Sequence, residues 1–213
     1  MISDPAGEDQ RPLIPANGTD GQPHVENAAY FMGKVLTELG FDWQRDDNMR
    51  DTPRRWVRMM VDEVCAGCFQ PPPKITAFPK GDGMDQLYVV GPLSVRSLCS
   101  HHLLPVVGRA WVCIWPGDQL VGLSKFGRLC DWVMRRPQMQ EAATAQLADA
   151  IQTLCSPKAV AVTVDAAHFC MTYRGVRHED SRMVTSVMRG EFLTDASLKA
   201  EALRLIEQAG RRE

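Results

Sequence analysis

The sequence predicts an α+β fold in which an antiparallel β-sheet is backed on one face by two helices. β-rich and amphipathic helical runs follow one another in the order strand, strand, helix, helix, strand, strand, rather than alternating strictly. The 213 residues are 45% hydrophobic and 23% charged, which is typical of a globular protein with a sizeable core. We expect a flexible tail over residues 1–23, a helical segment over 24–70 and a main body over 71–213.

The amino-terminal third is predicted to be helical after its tail. Residues 1–23 are rich in Pro, Gly, Asp and Asn and lack the basic start and apolar run of a secretory signal. Apolar residues at helical spacing predict a helix from Pro23 to Gly40. A second helix is expected to begin at Asp51-Thr52-Pro53, where a capping residue precedes a proline suited to a first turn, and to end at Gly67. Pro71-Pro72-Pro73 then marks a rigid joint.

The main body contains β-rich runs, which predict strands, and runs of helical periodicity. Strands are expected over 86–98, 107–115, 120–123, 159–167 and 183–189, and helices over 124–136, 140–154 and 197–209. The two helices in the middle of this order are separated by a break at Pro137. They are the pair expected to cover the sheet, and the last helix closes the chain.

Charge and cysteine content limit the classes of function. A net charge of -2 argues against a general nucleic-acid binder, and no apolar run is long enough to span a membrane. We therefore expect no nucleic-acid or membrane partner and a cytoplasmic protein. Seven scattered cysteines are typical of free or metal-bound thiols in a reducing compartment. Cys65-Ala66-Gly67-Cys68 has no second C-x-x-C to complete a metal site, so we expect buried, inert thiols there.

The stretch Cys99-Ser100-His101-His102 is the strongest chemical signal in the chain. It places a thiol and two imidazoles on one bend after a predicted strand, and His168 and Cys170 repeat the pairing later. Thiolate and imidazole are the ligands that zinc prefers. The two clusters predict a Cys, His, Cys zinc site whose fourth position is left for water, with His101 and His168 as spare imidazoles. A structural zinc, the alternative, would require a fourth protein ligand.

Several short motifs after residue 50 occur in an order and with gaps that are typical of one enzyme family. They are Asp51-Thr52-Pro53-Arg54-Arg55, Cys99-Ser100-His101-His102, Gly122-Leu123-Ser124-Lys125, Arg136-Pro137-Gln138-Met139-Gln140-Glu141, His168-Phe169-Cys170 and Arg174-Gly175-Val176, ending near Val184-Thr185-Ser186. In these motifs the chain resembles GTP cyclohydrolase I, the zinc enzyme that opens pteridine biosynthesis. The resemblance implies the tunnelling fold and a homodecamer of two stacked pentamers, with active sites at the subunit interfaces.

The resemblance also implies a role for each matching residue. The zinc (Zn2+) ligands fall on Cys99, His102 and Cys170, and the catalytic histidines on His101 and His168. Gln140 and Glu141 match the guanine-recognition pair, since a carboxylate can accept from N1–H and the exocyclic amine together. The ribose and triphosphate region matches Ser124, which is expected to assist the sugar rearrangement, together with Lys125, Arg128 and Arg174; Arg55 and Arg58 are expected to reach the phosphates from a neighbouring subunit.

The implied reaction is the conversion of GTP and water to formate and 7,8-dihydroneopterin triphosphate, the first step toward tetrahydrofolate. One departure is Ser100, because the family usually has Glu between the zinc Cys and the first His. A lost carboxylate there favours an alternative, a catalytically altered zinc-binding homologue with a regulatory or binding role. A third hypothesis, a same-fold enzyme that reduces a deazaguanine nitrile, would require a free nucleophilic Cys and a nicotinamide.

Overall fold

The computed structural model describes residues 23–211 and confirms the α+β class. The described chain forms two compact units that divide between Asp62 and Glu63. The tail predicted over residues 1–23 lies outside the described residues except for Pro23. The second unit carries the sheet and most of the residues with expected chemistry.

The first unit is built on two helices. α1 (Val25–Glu38) packs against α2 (Thr52–Arg58), and the helical run continues as a π-helix over Met59–Val64. Pro53 lies in the first turn of α2, where its missing N–H costs no hydrogen bond. Gly40 has a φ of +84° just beyond α1, which is the left-handed conformation that ends many helices at glycine.

A five-stranded sheet organises the second unit. Its order is β5-β2-β3-β6-β7, formed by β2 (Tyr88–Cys99), β3 (Pro105–Trp115), β5 (Pro137–Gln138), β6 (Ala159–His168) and β7 (Met183–Gly190). Neighbours are antiparallel except for the short β5, which runs parallel to β2. A separate ribbon pairs β1 (Ala77–Pro79) with β4 (Gln119–Val121).

The helices of the second unit connect and cover these strands. They are α3 (Ala66–Phe69), α4 (Leu123–Met134), α5 (Gln140–Cys155), α6 (Phe169–Thr172) and α7 (Ala196–Gly210), with a 3-10 turn at Glu191–Leu193. Each strand and helix predicted for the main body has its observed counterpart. Across residues 23–211, every helix falls short of the length and hydropathy needed to cross a bilayer.

The sheet is covered on both faces, which corrects the expectation of helices on one face. α4 and α5 pack on one face, where Val112 and Ile114 of β3 meet Leu129 and Leu147. α7 covers the opposite face, where Trp111 and Cys113 lie in a second cluster with Phe192 and Ile206. Because both sets of alternating side chains on β3 are apolar, this strand is buried on both sides, and a third helix is needed to cover it.

Gly67 does not end a helix as predicted. The π-helix ends at Val64, and Gly67 lies inside α3, where its N–H donates to Arg135 O at 3.1 Å. A Cβ at this position would lie 2.1 Å from Trp132 O. Glycine is therefore required here because α3 and the end of α4 approach closely, a tertiary cause that local sequence cannot reveal.

Candidate metal centre and substrate site

A tight bend between β2 and β3 presents the first half of the metal group. Cys99 is the last residue of β2, and its N–H donates to Leu104 O at 2.9 Å while Leu103 N–H donates to Cys99 O at 2.8 Å. Leu103 adopts a φ of +54°, the left-handed conformation that closes the loop. His101 and His102 lie within this bend, so both imidazoles stay close to the Cys99 thiol.

Strand pairing brings the second half to the same place. His168, the last residue of β6, lies opposite Val106 near the start of β3, and α6 follows at once and carries Cys170. One ligand atom from each of Cys99, His102 and Cys170 lies within 4.8 Å of the other two. Cys170, the partner that the sequence predicts for the bend, therefore lies beside Cys99 and His102 in the structure.

The donor set fits zinc. Two sulfurs and one imidazole nitrogen are ligands that zinc prefers, and tetrahedral ligands at about 2.0–2.3 Å from zinc are separated by roughly 3.3–3.8 Å. Two ligand atoms as far apart as the 4.8 Å limit allows would have to approach each other by about 1 Å to reach this tetrahedral spacing. Within residues 23–211 this group contains no fourth Cys, His, Asp or Glu. Three protein ligands are the number found in catalytic zinc sites, whereas structural sites use four.

The two thiols influence each other. The pKa of Cys170 is raised above its ordinary value, mainly by burial and also by the hydrogen bond and charge of Cys99. The charge of Arg174 offsets part of this shift. A bound cation reverses this balance because it stabilises both thiolates. Arg174 Nη1 donates to His102 Nε2 at 3.1 Å, because a guanidinium can only donate.

The two predicted catalytic histidines flank the metal group. His101 Nδ1 lies 3.5 Å from Cys99 Sγ, and His168 Nε2 lies 2.7 Å from Gln140 Oε1. Burial lowers the pKa of His168 below its ordinary value, and the nearby charge of Glu141 offsets only part of this shift. Glu141 is exposed in the first turn of α5. The predicted guanine pair therefore lies beside His168, with the Glu141 carboxylate accessible and the Gln140 amide buried.

A cleft of about 340 Å³ opens beside these groups. Its lining comprises His168, Cys170, Met171, Ser181, Arg182 and Met183. Arg182 is held in place by Asp165, whose carboxylate accepts from Nε at 2.8 Å. Sequence reasoning missed Ser181 and Arg182, because they follow a turn without any motif and reach the site only through the pairing of β6 with β7.

Three predicted substrate residues do not join this cluster within one chain. α4 runs beside β2: Phe126 contacts the Tyr88 ring at the start of the strand, Cys130 Sγ lies 3.8 Å from Ser94 O, and Leu98 N–H donates to Arg136 O beyond the end of the helix. Ser124, Lys125 and Arg128 are thus on the part of α4 remote from Cys99. Along the axis of α4, Ser124 and Met134 are about 15 Å apart.

The basic residues predicted from the first helical part belong to the first unit. Arg55 and Arg58 are exposed on α2, and Arg55 Nη2 lies 3.3 Å from Asp51 Oδ2. An exposed i,i+4 ion pair of this kind is weak and leaves the guanidinium able to exchange partners. Both side chains are therefore accessible to an anion.

The C-x-x-C motif has the properties of inert thiols. Burial, together with neighbouring Cys68, raises the pKa of Cys65 to about 11. Burial also raises the pKa of Cys68, although Arg136 lowers it. Because the thiolate is the reactive form, both groups are poor nucleophiles and metal ligands at neutral pH.

Comparisons with known proteins point to one family. The sequence model of GTP cyclohydrolase I matches residues 28–207. GTP cyclohydrolase 1 of Shewanella loihica is 36% identical over 91% of this chain and 90% of its own length. The enzyme of the same name from Rhodopirellula baltica is 40% identical over 83% of this chain and 76% of its own. Among solved structures, the apo archaeosine synthase QueF-Like aligns with 56% of this chain and 97% of its own at 13% identity, with a TM-score of 0.38.

Proposed function

Because the chain belongs to the GTP cyclohydrolase I family, we propose that it converts GTP and water to formate and 7,8-dihydroneopterin triphosphate, the first step of pteridine and tetrahydrofolate biosynthesis. The observation that carries this proposal is the Cys99, His102, Cys170 group, which lies beside His168 and a cleft of suitable size for a purine. Cys99, His102 and Cys170 would hold zinc. When bound, zinc supplies Lewis acidity that activates a water molecule as a nucleophile near neutral pH.

Glu141 is the residue proposed to recognise guanine. Its exposed carboxylate can accept from N1–H and the exocyclic amine at the same time, a pairing that adenine cannot offer. Gln140 offers the substrate no donor, because its amide nitrogen lies within hydrogen-bonding distance of three protein oxygens. We therefore move the predicted guanine role of Gln140 to Glu141 alone.

His101 and His168 are proposed to move the protons of the reaction. Water adds at C8 only after N7 of the purine has gained a proton, and the formamide produced must then lose formate. Imidazoles titrate near physiological pH, so they can deliver and remove these protons. His168 borders the cleft together with Cys170, and His101 adjoins Cys99, so an acid–base group lies near each of the two thiols.

The remaining substrate residues are proposed to come from other copies of the chain. Ser124 would contact the ribose and assist its rearrangement, and Lys125 and Arg128 would bind phosphates beside the metal group of a neighbour. Arg174, at the metal group itself, and Arg55 and Arg58 would complete the triphosphate site, since several cations can hold a tetra-anion on an acidic protein. The separation along α4 supports this division.

This division is consistent with the proposed tunnelling fold and homodecamer of two pentamers. Among residues 23–211, β7 is an edge strand, and on the side of β2 away from β3 only Leu98 and Cys99 are paired, with the short β5. Both edges therefore have backbone groups free to pair with another copy. We propose residues 71–213 as the catalytic domain and 24–70 as its helical extension. The free state of all seven cysteines supports a reducing, cytoplasmic compartment.

A direct assay tests the proposed function. Purified zinc-replete protein is incubated with GTP, formate is quantified enzymatically, and the pterin is detected by fluorescence after oxidation. We expect formate and pterin in equal amounts, and ATP should give neither. Absence of GTP turnover by the zinc-loaded protein would refute the proposal.

Ser100 is the position at which a family enzyme could differ in rate. Its side chain is exposed on the bend between Cys99 and His101 and is outside the metal group. We propose that zinc binding does not depend on it, whereas the orientation of the neighbouring imidazoles does. Ser100→Glu should therefore leave the zinc content unchanged and alter kcat.

A further inference from the structure

Gln140 is an almost fully buried amide at the start of α5, with 5% of its surface exposed. Its Nε2 atom lies 2.9 Å from Met183 O, 3.2 Å from Val164 O and 3.1 Å from Thr185 Oγ1. Backbone carbonyl oxygens can only accept hydrogen bonds, so the nitrogen end of the amide must face them. The orientation of this amide is thus determined by chemistry, even though oxygen and nitrogen are similar in shape.

Two threonines close a cycle of hydrogen bonds around the same amide. The Thr144 hydroxyl must donate to Gln140 O at 2.7 Å, because that carbonyl has no hydrogen to give. The oxygens of Thr144 and Thr185 are 2.7 Å apart, so Thr185 is the donor between them. Thr185 in turn accepts from Gln140 Nε2. Each of the two hydroxyl groups therefore has a single acceptor for its hydrogen. The amide is held by contacts with three elements, α5, β6 and β7.

The opposite end of the amide contacts a proposed acid–base group. Gln140 Oε1 lies 2.7 Å from His168 Nε2, and an amide oxygen can only accept. His168 must therefore carry a proton on Nε2. We propose that Gln140 is a positioning residue that fixes His168 in the Nε2–H tautomer and leaves Nδ1 as the only ring nitrogen with a free lone pair when the imidazole is neutral.

This inference rests on the proposed function, in which His168 moves protons at the substrate. A histidine whose tautomer is fixed presents the same atom to the substrate in every turnover, so Nδ1 is the atom that takes or returns the proton. Without the amide, the ring can flip and both tautomers become populated. A fraction of molecules would then present a nitrogen in the wrong protonation state.

Kinetics separate this role from guanine binding. Gln140→Met keeps the side-chain length and removes the hydrogen bonds, and we expect kcat for GTP to fall about 10- to 100-fold with little change in KM. The matched control is Gln152→Met on the same helix, which removes an amide bond to Pro157 O at 3.1 Å. It should leave both constants unchanged. A raised KM at unchanged kcat for Gln140→Met would overturn the proposal and restore a guanine contact.

A spectroscopic measurement tests the tautomer without turnover. Protein with 15N-labelled histidine rings is studied by solid-state NMR at a pH where histidine is neutral, because protonated and unprotonated ring nitrogens differ widely in chemical shift. The His168 signals are assigned by their loss in His168→Gln. We expect a protonated Nε2 in the wild type and a mixture in Gln140→Met; an unprotonated Nε2 in the wild type would overturn the inference.

A second variant guards against loss of folding in Gln140→Met, which leaves two carbonyl groups without their donor. Thr185→Val keeps Gln140 and both carbonyls, so His168 should retain its Nε2 proton. A mixed tautomer in Thr185→Val would contradict the account based on the carbonyls. If the wild type shows the Nε2 proton but no GTP turnover, the proposed function fails while the tautomer assignment stands.

Discussion

Cys170 is the residue on which the proposed metal centre can be tested most directly. It supplies one of two sulfurs in a group of three ligand atoms, so Cys170→Ser leaves an incomplete donor set. Even the partners that orient metal ligands are worth about 10- to 100-fold in metal affinity or activity, and loss of a ligand should cost at least as much. We expect Cys170→Ser to lose bound zinc and GTP turnover together, as measured by elemental analysis of the dialysed protein.

Cys68 provides the control for this substitution. It is a half-buried thiol outside the metal group, and its raised pKa makes it a poor ligand. Cys68→Ser should retain zinc at the wild-type stoichiometry. Zinc retained in full by Cys170→Ser, or lost equally from Cys68→Ser, would contradict the assignment of the ligands.

The proposed metal ligands and the proposed role of Gln140 differ in how readily they are recognised in a sequence. Thiols and imidazoles carry their chemistry in the residue type, so Cys99, His102 and Cys170 could be selected before any coordinates were known. The residue type of an amide, by contrast, does not by itself indicate a role. The role of Gln140 depends on Val164 and Thr185, which reach it only through the packing of α5 on β6 and β7, and no spacing in the sequence indicates that contact.

Gly108 shows a constraint that belongs to a pair of strands. A Cβ on this residue of β3 would lie 2.1 Å from Asp165 O and 2.5 Å from Ala166 Cα on β6. Backbone atoms cannot rotate out of the way as a flexible side chain can. Gly108→Ala should therefore force the two strands apart and lower the free energy of unfolding by at least about 1–3 kcal/mol. Chemical denaturation with the two-state midpoint as readout measures this loss.

Gly127 on α4 is the matched control for the same substitution. A Cβ there would meet no atom within 4 Å, so Gly127→Ala should stabilise the chain by about 0.5–1 kcal/mol through the greater helix propensity of alanine. If both variants lost stability equally, the close approach of β3 and β6 would not be the cause.

Elements with a strong local pattern were predictable, and elements defined by their partners were not. The strands β2, β3 and β6 were predicted from β-rich runs, and the helices α4 and α5 from apolar residues at helical spacing. β5 has only two residues and exists because Pro137 and Gln138 lie beside Leu98 and Cys99. The break that Pro137 predicts between two helices is therefore correct, but its role as a strand is invisible locally.

At the scale of the whole molecule, the proposed division of the site between copies predicts that two impaired variants can rescue each other. Lys125→Ala lacks a proposed phosphate contact, and Cys170→Ser lacks a proposed metal ligand. In a hybrid assembly some sites combine an intact Lys125 from one copy with an intact Cys170 from another. Co-expression in equal amounts should restore roughly a quarter of wild-type activity, because each half of a site is chosen independently.

Separate purification of the two variants followed by mixing without reassembly is the control, and it should restore nothing. If the co-expressed hybrid also remained inactive while both variants assembled normally, the remote part of α4 would have to serve the metal group of its own chain.

Metal removal should separate activity from folding. The buried apolar cluster beneath α4 and α5 contains residues from four strands and both helices, so most of its contacts do not involve the metal group. We expect a chelator to abolish turnover while the far-UV circular dichroism stays that of the folded protein, with recovery on addition of zinc. Unfolding upon chelation would instead identify a structural metal site.

The course of α4 along β2 also bears on how such an enzyme could be inhibited. Because we propose that each site is divided between copies, a compound that separates the copies should abolish catalysis without resembling a nucleotide or entering the cleft beside Cys170. Resistance to it would be expected at residues that join the copies without binding the substrate.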